Sequence, residues 1–160
     1  AATYHDERAR SPLGGAAGEK LDQILKAMGL SREAVYLTNI VKFRPLMPGQ
    51  GTRNREPDER ELATFLPLLE AEVKIVRPKV IIAFGEVVAR ALASTSGDLA
   101  TLRGQFHEFA GVPVRVSFHP RYLLHQGSAL GEKRMLWEDM LAVMEHVGMQ
   151  ISDKQRGFFQ

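Results

Sequence analysis

The chain has 160 residues, a length that suits one ordinary domain with a single hydrophobic core. Hydrophobic residues make up 44% and charged residues 25% of the sequence, and these average proportions exclude disordered, fibrous and membrane-embedded classes. The net charge is only +2, from 21 Lys and Arg against 19 Asp and Glu, so the placement of the charges must decide whether the chain binds a polyanion.

Two absences narrow the chemistry and the expected location. The sequence has no cysteine, which excludes disulfides, thiolate zinc sites, cysteine-ligated iron–sulfur clusters and cysteine nucleophiles for the residues given. It also has no run of 18 apolar residues and no basic leader followed by an apolar stretch. We therefore expect a soluble, cytoplasmic protein with no membrane partner.

The first third of the chain predicts a loop, a helix and a buried strand. Residues 1–18 end in a run of small residues, which is typical of a loop. A helix is predicted from Glu19, because apolar residues follow at i, i+3, i+4 and i+7 and Gly29 can cap its end. Residues 35–41 are rich in β-branched and aromatic types and indicate a strand. That strand leads into an irregular, basic loop over residues 42–57.

The middle of the chain predicts two helices around a strand. Asp58 and Glu61 have the spacing of a capping box, and an apolar helical face follows them. Residues 79–84 form a continuous apolar run, typical of a parallel strand that is covered on both faces. Gly85 then begins a short helix that ends at Ala93.

The last third predicts two strands and one helix. Residues 103–109 and 112–118 indicate strands, and residues 136–147 indicate an amphipathic helix. Strands that alternate with helices imply an α/β fold, here a three-layer α/β/α sandwich with a mostly parallel central sheet.

Ligands of open α/β sheets bind beyond the carboxyl ends of the strands, so the candidate residues are those that follow each strand. Three segments qualify: the opening segment with Asp6, the segment at Asn39 with the basic loop behind it, and residues 119–124. By residue type alone, Asn39 could cap or turn the chain, and His119 could be a buried core histidine. Scattered arginines usually form a solvated face.

The candidate segments contain motifs that resemble one known family. The motifs are VYLTNIVKFRP at residues 35–45, RPKVIIAFG at residues 77–85 and FHPRYLL at residues 118–124. Together with Leu102-Arg103-Gly104 and a helix around Trp137, they resemble the family-four branch of the uracil-DNA glycosylase superfamily. The resemblance covers residues 4–147.

The resemblance implies a DNA glycosylase that flips uracil out of DNA and hydrolyses its N-glycosidic bond in base excision repair. The implied partner is uracil-containing DNA, and we expect a monomer. The family binds a four-iron cluster through cysteines, and two of those positions match Phe43 and Phe65. We therefore expect no cofactor, and we expect the two rings to pack together. Alternatives are a non-catalytic module that binds DNA or abasic sites, and a glycosylase for another deaminated base.

The family also has a strand-end loop, Gly-Glu-x-Pro-Gly, whose acid and backbone amides serve the water and the uracil. Aligned without gaps, Ala1 falls one residue after that glutamate, among the substrate-binding positions. We therefore expect residues 1–160 to form a single domain that lacks the family's first strand. Asp6 matches a second acidic position and would be catalytic. Leu13 falls where the family usually stacks a phenylalanine on uracil.

The resemblance implies that Asn39 reads the base and that His119 is catalytic. An amide presents a donor and an acceptor, which suits uracil O4 and N3–H and mismatches cytosine. A hydrogen bond from the imidazole to uracil O2 strengthens as negative charge grows there.

DNA contacts are expected from two loops. The arginines expected to bind phosphate are Arg44, Arg53, Arg55 and Arg121. The family inserts the segment of Tyr122, Leu123 and Leu124 into the duplex, where it fills the space left by the flipped base. The sequence leaves open which leucine does so.

Overall fold

The computed structural model describes residues 1–93, 96–124 and 130–159. Their helices and strands, in chain order, are α1 (Tyr4–Ala9), α2 (Gly15–Met28), α3 (Glu59–Val76), β1 (Ile81–Phe84), α4 (Glu86–Ala93), α5 (Leu99–Leu102), β2 (Phe106–Phe109), β3 (Val112–Ser117), α6 (Leu130–His146) and α7 (Asp153–Arg156). Two 3₁₀ turns cover Arg32–Ala34 and Pro120–Leu124. None of the helices in these ranges is long and apolar enough to span a membrane.

The three strands form a mixed sheet in the order β1-β3-β2. β1 lies parallel to β3, with Ile81 opposite Val114 and Phe84 opposite Ser117. β2 lies antiparallel to β3. The α/β class is confirmed, and one of the two strand pairings described is antiparallel.

The β2–β3 connection is a two-residue turn. Phe109 pairs with Val112, and the residues between them, Ala110 and Gly111, have φ angles of 51° and 77°. Two successive left-handed residues match the right-handed twist of the flanking strands. The turn therefore fixes the register of this hairpin.

Hydrophobic side chains pack on both faces of β1. Ile82 and Phe84 pack against a cluster formed mainly by α2 and α6, in which Trp137 is buried. Ile81 and Ala83 belong to a second cluster, which α3, α4 and α5 share with β3. Successive strand residues point to opposite faces, so the continuous apolar run of β1 serves two cores.

The prediction of a strand at residues 35–41 is wrong within the residues that the structure describes. These residues are extended or bent, and no strand pairs with them. The β propensity of the segment is real, but a strand is defined by hydrogen bonds to a neighbour, and no neighbouring strand lies beside it among the described residues.

The expected loop over residues 1–18 is also wrong in part, because α1 and the start of α2 occupy it. Thr3 caps α1: its hydroxyl accepts from the Asp6 amide, and the Asp6 carboxylate accepts from the Thr3 amide. This reciprocal capping stabilises a short helix that hydrophobic periodicity cannot detect.

Candidate active site

The carboxyl ends of β1 and β3 lie side by side and position His119. The Gly85 amide, directly after β1, donates to the Ser117 carbonyl at the end of β3 over 2.9 Å. Gly85 has a φ of 89°, and a Cβ built on it would lie 3.5 Å from the His119 Cβ. His119 therefore sits close against the glycine at the edge where open α/β sheets bind ligands.

The imidazole of His119 is a neutral hydrogen-bond donor. Its Nδ1 accepts from the Arg121 backbone N–H at 3.2 Å, so the proton of the neutral ring lies on Nε2. Burial, assisted by the charge of Arg121, lowers the pKa of His119 to about 4, and the Asp6 carboxylate opposes that shift. At neutral pH, His119 therefore offers an Nε2–H group and carries no charge.

Asp6 is buried and its carboxylate binds the backbone of its own segment. One oxygen accepts from the Thr3 amide at 2.9 Å and the other from the Gly14 amide at 2.7 Å. Its electrostatic effect on the pKa of His119 shows that its charge reaches the candidate site. Asp6 thus joins two turns of the opening segment and adds negative charge to this edge.

Ala1 and Leu13 both lie on the opening segment, but Ala1 is near charged groups and Leu13 packs against apolar side chains. The amino group of Ala1 interacts electrostatically with Asp6, Lys42 and His119, which places it near the candidate site. Leu13 has a φ of 53°, and its half-buried side chain packs against the α2–α6 cluster. Only part of the Leu13 side chain is therefore accessible to solvent.

Asn39 lies in the extended segment next to a partly exposed ion pair. Its half-buried side-chain amide makes no hydrogen bond within the described residues. Its neighbour Thr38 is fixed by Glu72 at 3.0 Å and by Lys42 at 2.7 Å, and Lys42 pairs with Glu72 at 2.6 Å. The sequence analysis missed this ion pair. Its indication in the sequence is Glu72, a charged residue that lies one helical turn after buried Leu69 and thus on the same side of the helix.

The four arginines differ in exposure. Arg44 is 9% exposed and donates to the carbonyls of Gly51 and Arg53, so it braces the inside of the loop. Arg55 forms a two-pronged ion pair with Glu61, with both distances 2.7 Å. Arg53 and Arg121 are exposed. Of the four, these two present their charge most openly to solvent.

The turn after His119 separates the two leucines. The Tyr122 amide donates to the His119 carbonyl at 2.9 Å and begins the 3₁₀ turn. Leu123 is half-buried and packs against the α2–α6 cluster, whereas Leu124 is 43% exposed and Tyr122 is 41% exposed. Leu124 and Tyr122 are therefore exposed to solvent, whereas Leu123 contributes part of its side chain to the hydrophobic core.

A buried ionic network fixes the end of β3. Asp139 is fully buried and accepts hydrogen bonds from Ser117 at 2.8 Å, from Arg103 at 2.9 Å and from Arg115 at 3.0 Å. The Arg103 guanidinium lies 4.3 Å from the centre of the Phe118 ring. The sequence analysis missed this network, although an acidic residue on the otherwise apolar, buried face of α6 could have indicated it.

Phe43 and Phe65 pack edge to face, with ring centres 5.4 Å apart, so their expected contact is confirmed. Neither ring can ligate iron, and the sequence has no cysteine, so the residues present do not fit a cysteine-bound cluster. In the ranges that the structure describes, no group of three or more His, Cys, Asp or Glu residues could bind a metal ion.

The comparisons with known proteins agree on one family. The model of the uracil DNA glycosylase superfamily matches residues 2–141. The type-4 uracil-DNA glycosylase of Pyrobaculum aerophilum is 33% identical over 135 residues, which cover 79% of this chain and 66% of that protein. That of Sulfurisphaera tokodaii is 29% identical over 149 residues, with coverages of 88% and 64%. That of Saccharolobus solfataricus is 30% identical over 142 residues, with coverages of 84% and 62%. The chain spans a little under two thirds of the length of these relatives.

Proposed function

Because the chain belongs to the uracil-DNA glycosylase superfamily, we propose that it releases uracil from DNA by hydrolysing the N-glycosidic bond. The observation that carries the proposal is the neutral His119, with its proton on Nε2 at the carboxyl edge of the sheet. A donor fixed before the reaction stabilises charge that develops on a departing base.

The protonation state of His119 defines its proposed role. With a pKa of about 4, the ring has no second proton to give at neutral pH, so it acts as a hydrogen-bond donor rather than as a general acid. When the bond between C1′ and N1 breaks, the electron pair leaves with uracil, and its O2 accepts from Nε2–H. A water oxygen then bonds to C1′ and loses a proton, which neutralises the departed uracil anion, so the products are an abasic site and neutral uracil.

Asn39 is proposed to recognise the extruded base. Its amide is without a partner among the described residues, while Lys42 and Glu72 hold the neighbouring Thr38 in place. A fixed backbone with a free amide can donate to uracil O4 and accept from N3–H. Support for placing both groups on one base comes from Ala1, whose amino group interacts with Lys42 and with His119.

Asp6 is proposed to stabilise the sugar electrostatically. Each carboxylate oxygen already accepts one backbone hydrogen bond, which leaves further lone pairs and the full negative charge. An oxocarbenium-like sugar gains positive charge as uracil leaves, and a nearby carboxylate favours that charge. In this proposal Asp6 acts through its charge, and a remaining lone pair of its carboxylate orients the attacking water.

DNA binding is proposed to involve Arg53 and Arg121 on phosphate and Leu124 with Tyr122 in the duplex, since these side chains are exposed. Replacing both arginines with alanine should lower the slope of log affinity against log salt by up to about 2. An unchanged slope would remove both residues from the phosphate contacts.

The finer architecture is part of the same proposal: a three-layer α/β/α sandwich whose complete sheet is mostly parallel. Support comes from the parallel β1–β3 pair and from the two hydrophobic clusters on opposite faces of β1.

Single-turnover release of uracil from a single-stranded oligonucleotide tests the activity. His119→Ala should reduce release by about 100-fold to 1,000-fold and leave the Kd for DNA nearly unchanged. His146→Ala is the matched control, because His146 is exposed on α6. Equal losses of binding and release would make His119 structural.

A specific observation favours a second candidate, because both oxygens of Asp6 are engaged by backbone amides and would also serve a non-catalytic DNA-binding module. Tight binding of uracil-containing or abasic DNA without release would identify that module. Release of other deaminated bases, but not of uracil, would identify a glycosylase of different specificity.

A further inference from the structure

Arg103 lies directly after α5, in the motif Leu102-Arg103-Gly104, to which the proposed function assigns no role. Its side chain is only 12% exposed. Its Nε donates to an Asp139 carboxylate oxygen at 2.9 Å, its Nη2 to the Met135 carbonyl at 2.6 Å and its Nη1 to the Met135 sulfur at 3.5 Å. A guanidinium that is engaged at every nitrogen is part of the protein's interior packing rather than a contact for DNA phosphate.

The same guanidinium lies over the ring of Phe118, the residue directly before His119. Its central carbon is 4.3 Å from the ring centre, within the range of a cation–π contact. The N–H groups of a guanidinium lie in its plane, and here they are directed at groups of α6, so the ring packs against the face of Arg103. Arg103 thus joins Phe118 to α6.

The carboxylate that binds Arg103 also holds Ser117, the last residue of β3. The Ser117 hydroxyl donates to Asp139 at 2.8 Å, and the Ser117 carbonyl accepts from the Gly85 amide at 2.9 Å. Both residues that precede His119 are therefore fixed, Ser117 by hydrogen bonds and Phe118 through its ring. The backbone that leads into the imidazole starts from a held position.

We propose that Arg103 is a positioning residue for His119: it holds the Phe118 ring, and Phe118 in turn fixes the backbone that carries the imidazole. This inference rests on the proposed function, because it makes uracil release depend on where His119 lies. A misplacement of about 1 Å can cost about 100-fold in rate, so small shifts of the Nε2–H group matter.

Arg115 provides a matched control within the chain. It binds the other oxygen of Asp139, with its Nε at 3.0 Å, and its side chain is 9% exposed. Its guanidinium lies 5.5 Å from the ring centre of Phe106, which begins β2. The two arginines share a buried counter-charge and each has an aromatic neighbour. Of the two, Arg103 is the one whose ring partner precedes His119.

The experiment compares Arg103→Lys with Arg115→Lys in single-turnover release of uracil. The protein is in excess over the DNA and far above the Kd, so weaker binding does not enter the rate. Lysine keeps the positive charge beside Asp139 but has no planar face for the ring. Arg103→Lys should slow release by about 10-fold to 100-fold, whereas Arg115→Lys should release uracil at the wild-type rate.

Phe118→Leu tests the path through the ring. It keeps an apolar side chain and leaves the ionic network intact, but it removes the surface on which Arg103 packs. It should slow release as Arg103→Lys does. The double variant should be little slower than either single variant, because both changes remove the same contact.

Nitrogen-15 NMR of the His119 ring gives a readout that does not depend on uracil release. In the wild type, Nδ1 accepts from the Arg121 amide, so the proton of the neutral ring lies on Nε2. Arg103→Lys should move the two ring-nitrogen signals toward each other as the second tautomer becomes populated. Arg115→Lys should leave both signals unchanged.

Equal effects of the two lysine variants, unchanged ring signals in Arg103→Lys, or losses that multiply in the double variant would overturn the positioning role and leave Arg103 as part of a structural ion pair. If Arg103→Lys does not fold, Phe118→Leu decides, and wild-type release or wild-type ring signals in it would refute the proposal. If the wild type releases no uracil, the proposed function fails, and the ring signals alone decide whether Arg103 positions His119.

Discussion

Replacing His119 with glutamine should make the free energy of unfolding less sensitive to acid. The folded-state pKa of His119 is about 4, below its ordinary value of 6.5, because burial disfavours the charged ring. Between these pH values the unfolded chain binds a proton that the folded chain does not. Stability from this residue is therefore complete above pH 6.5 and is lost as the pH falls toward 4.

The size of the effect follows from the two pKa values. Between pH 7.5 and 4.5, a histidine with these values lowers the free energy of unfolding by about 2.5 kcal/mol. Glutamine keeps hydrogen-bonding capacity and similar bulk but does not titrate. The wild type should thus lose about 2.5 kcal/mol more than His119→Gln over this range.

Urea unfolding of both proteins at the two pH values measures this difference. His146→Gln, at an exposed position on α6, is the matched control for the exchange of a histidine for glutamine. An NMR titration of the His119 ring should have its midpoint near pH 4. A midpoint near 6.5, or equal losses in the wild type and in His119→Gln, would refute the burial of a neutral ring.

Five further substitutions test the packing. Gly18→Ala should lower the free energy of unfolding by about 2 kcal/mol or more, because the new Cβ would lie 1.9 Å from the Leu13 carbonyl oxygen. Gly131→Ala in α6 should raise it by about 0.5–1 kcal/mol, because the new Cβ meets nothing within 4 Å. Asp139→Asn should cost about 3–5 kcal/mol in urea unfolding, since two largely buried guanidinium groups lose their counter-charge, and a loss under 1 kcal/mol would contradict this. Phe65→Ala should lower the free energy of unfolding by about 3 kcal/mol, and Phe43→Ala should lower it clearly less, because Phe43 is 43% exposed. Equal decreases of the thermal unfolding midpoint in the two variants would refute this difference.

The sequence predicts those elements whose side-chain pattern is decided locally. The apolar run of β1 and the helical face of α3 both appear near their expected bounds. Residues 36–41 have the composition of a strand, but pairing depends on a neighbour that local composition does not contain. α1 depends on one reciprocal cap between Thr3 and Asp6, which a search for apolar periodicity overlooks.

The candidate site shows a similar limit. His119 and Asn39 can be selected because they follow apolar segments and have side chains suited to a base. The difference in exposure between buried Arg44 and exposed Arg53 cannot be seen in the sequence, because a guanidinium suits a phosphate and the carbonyls of its own loop equally well, and both side chains donate to such carbonyls. The Asp139 network depends on partners 22 to 36 residues away, which only the fold brings together.

The tight turn at Ala110 and Gly111 has a consequence for the order of folding. A two-residue connection brings β2 and β3 together with little loop-closure entropy, and hairpins of this kind form in about 1–10 μs. β1 must close a much longer loop, through α4 and α5, before it pairs with β3. We expect the hairpin to form first and to serve as the template on which β1 docks. The strand that leads to His119 would thus be in place before Gly85 arrives to pack against that histidine.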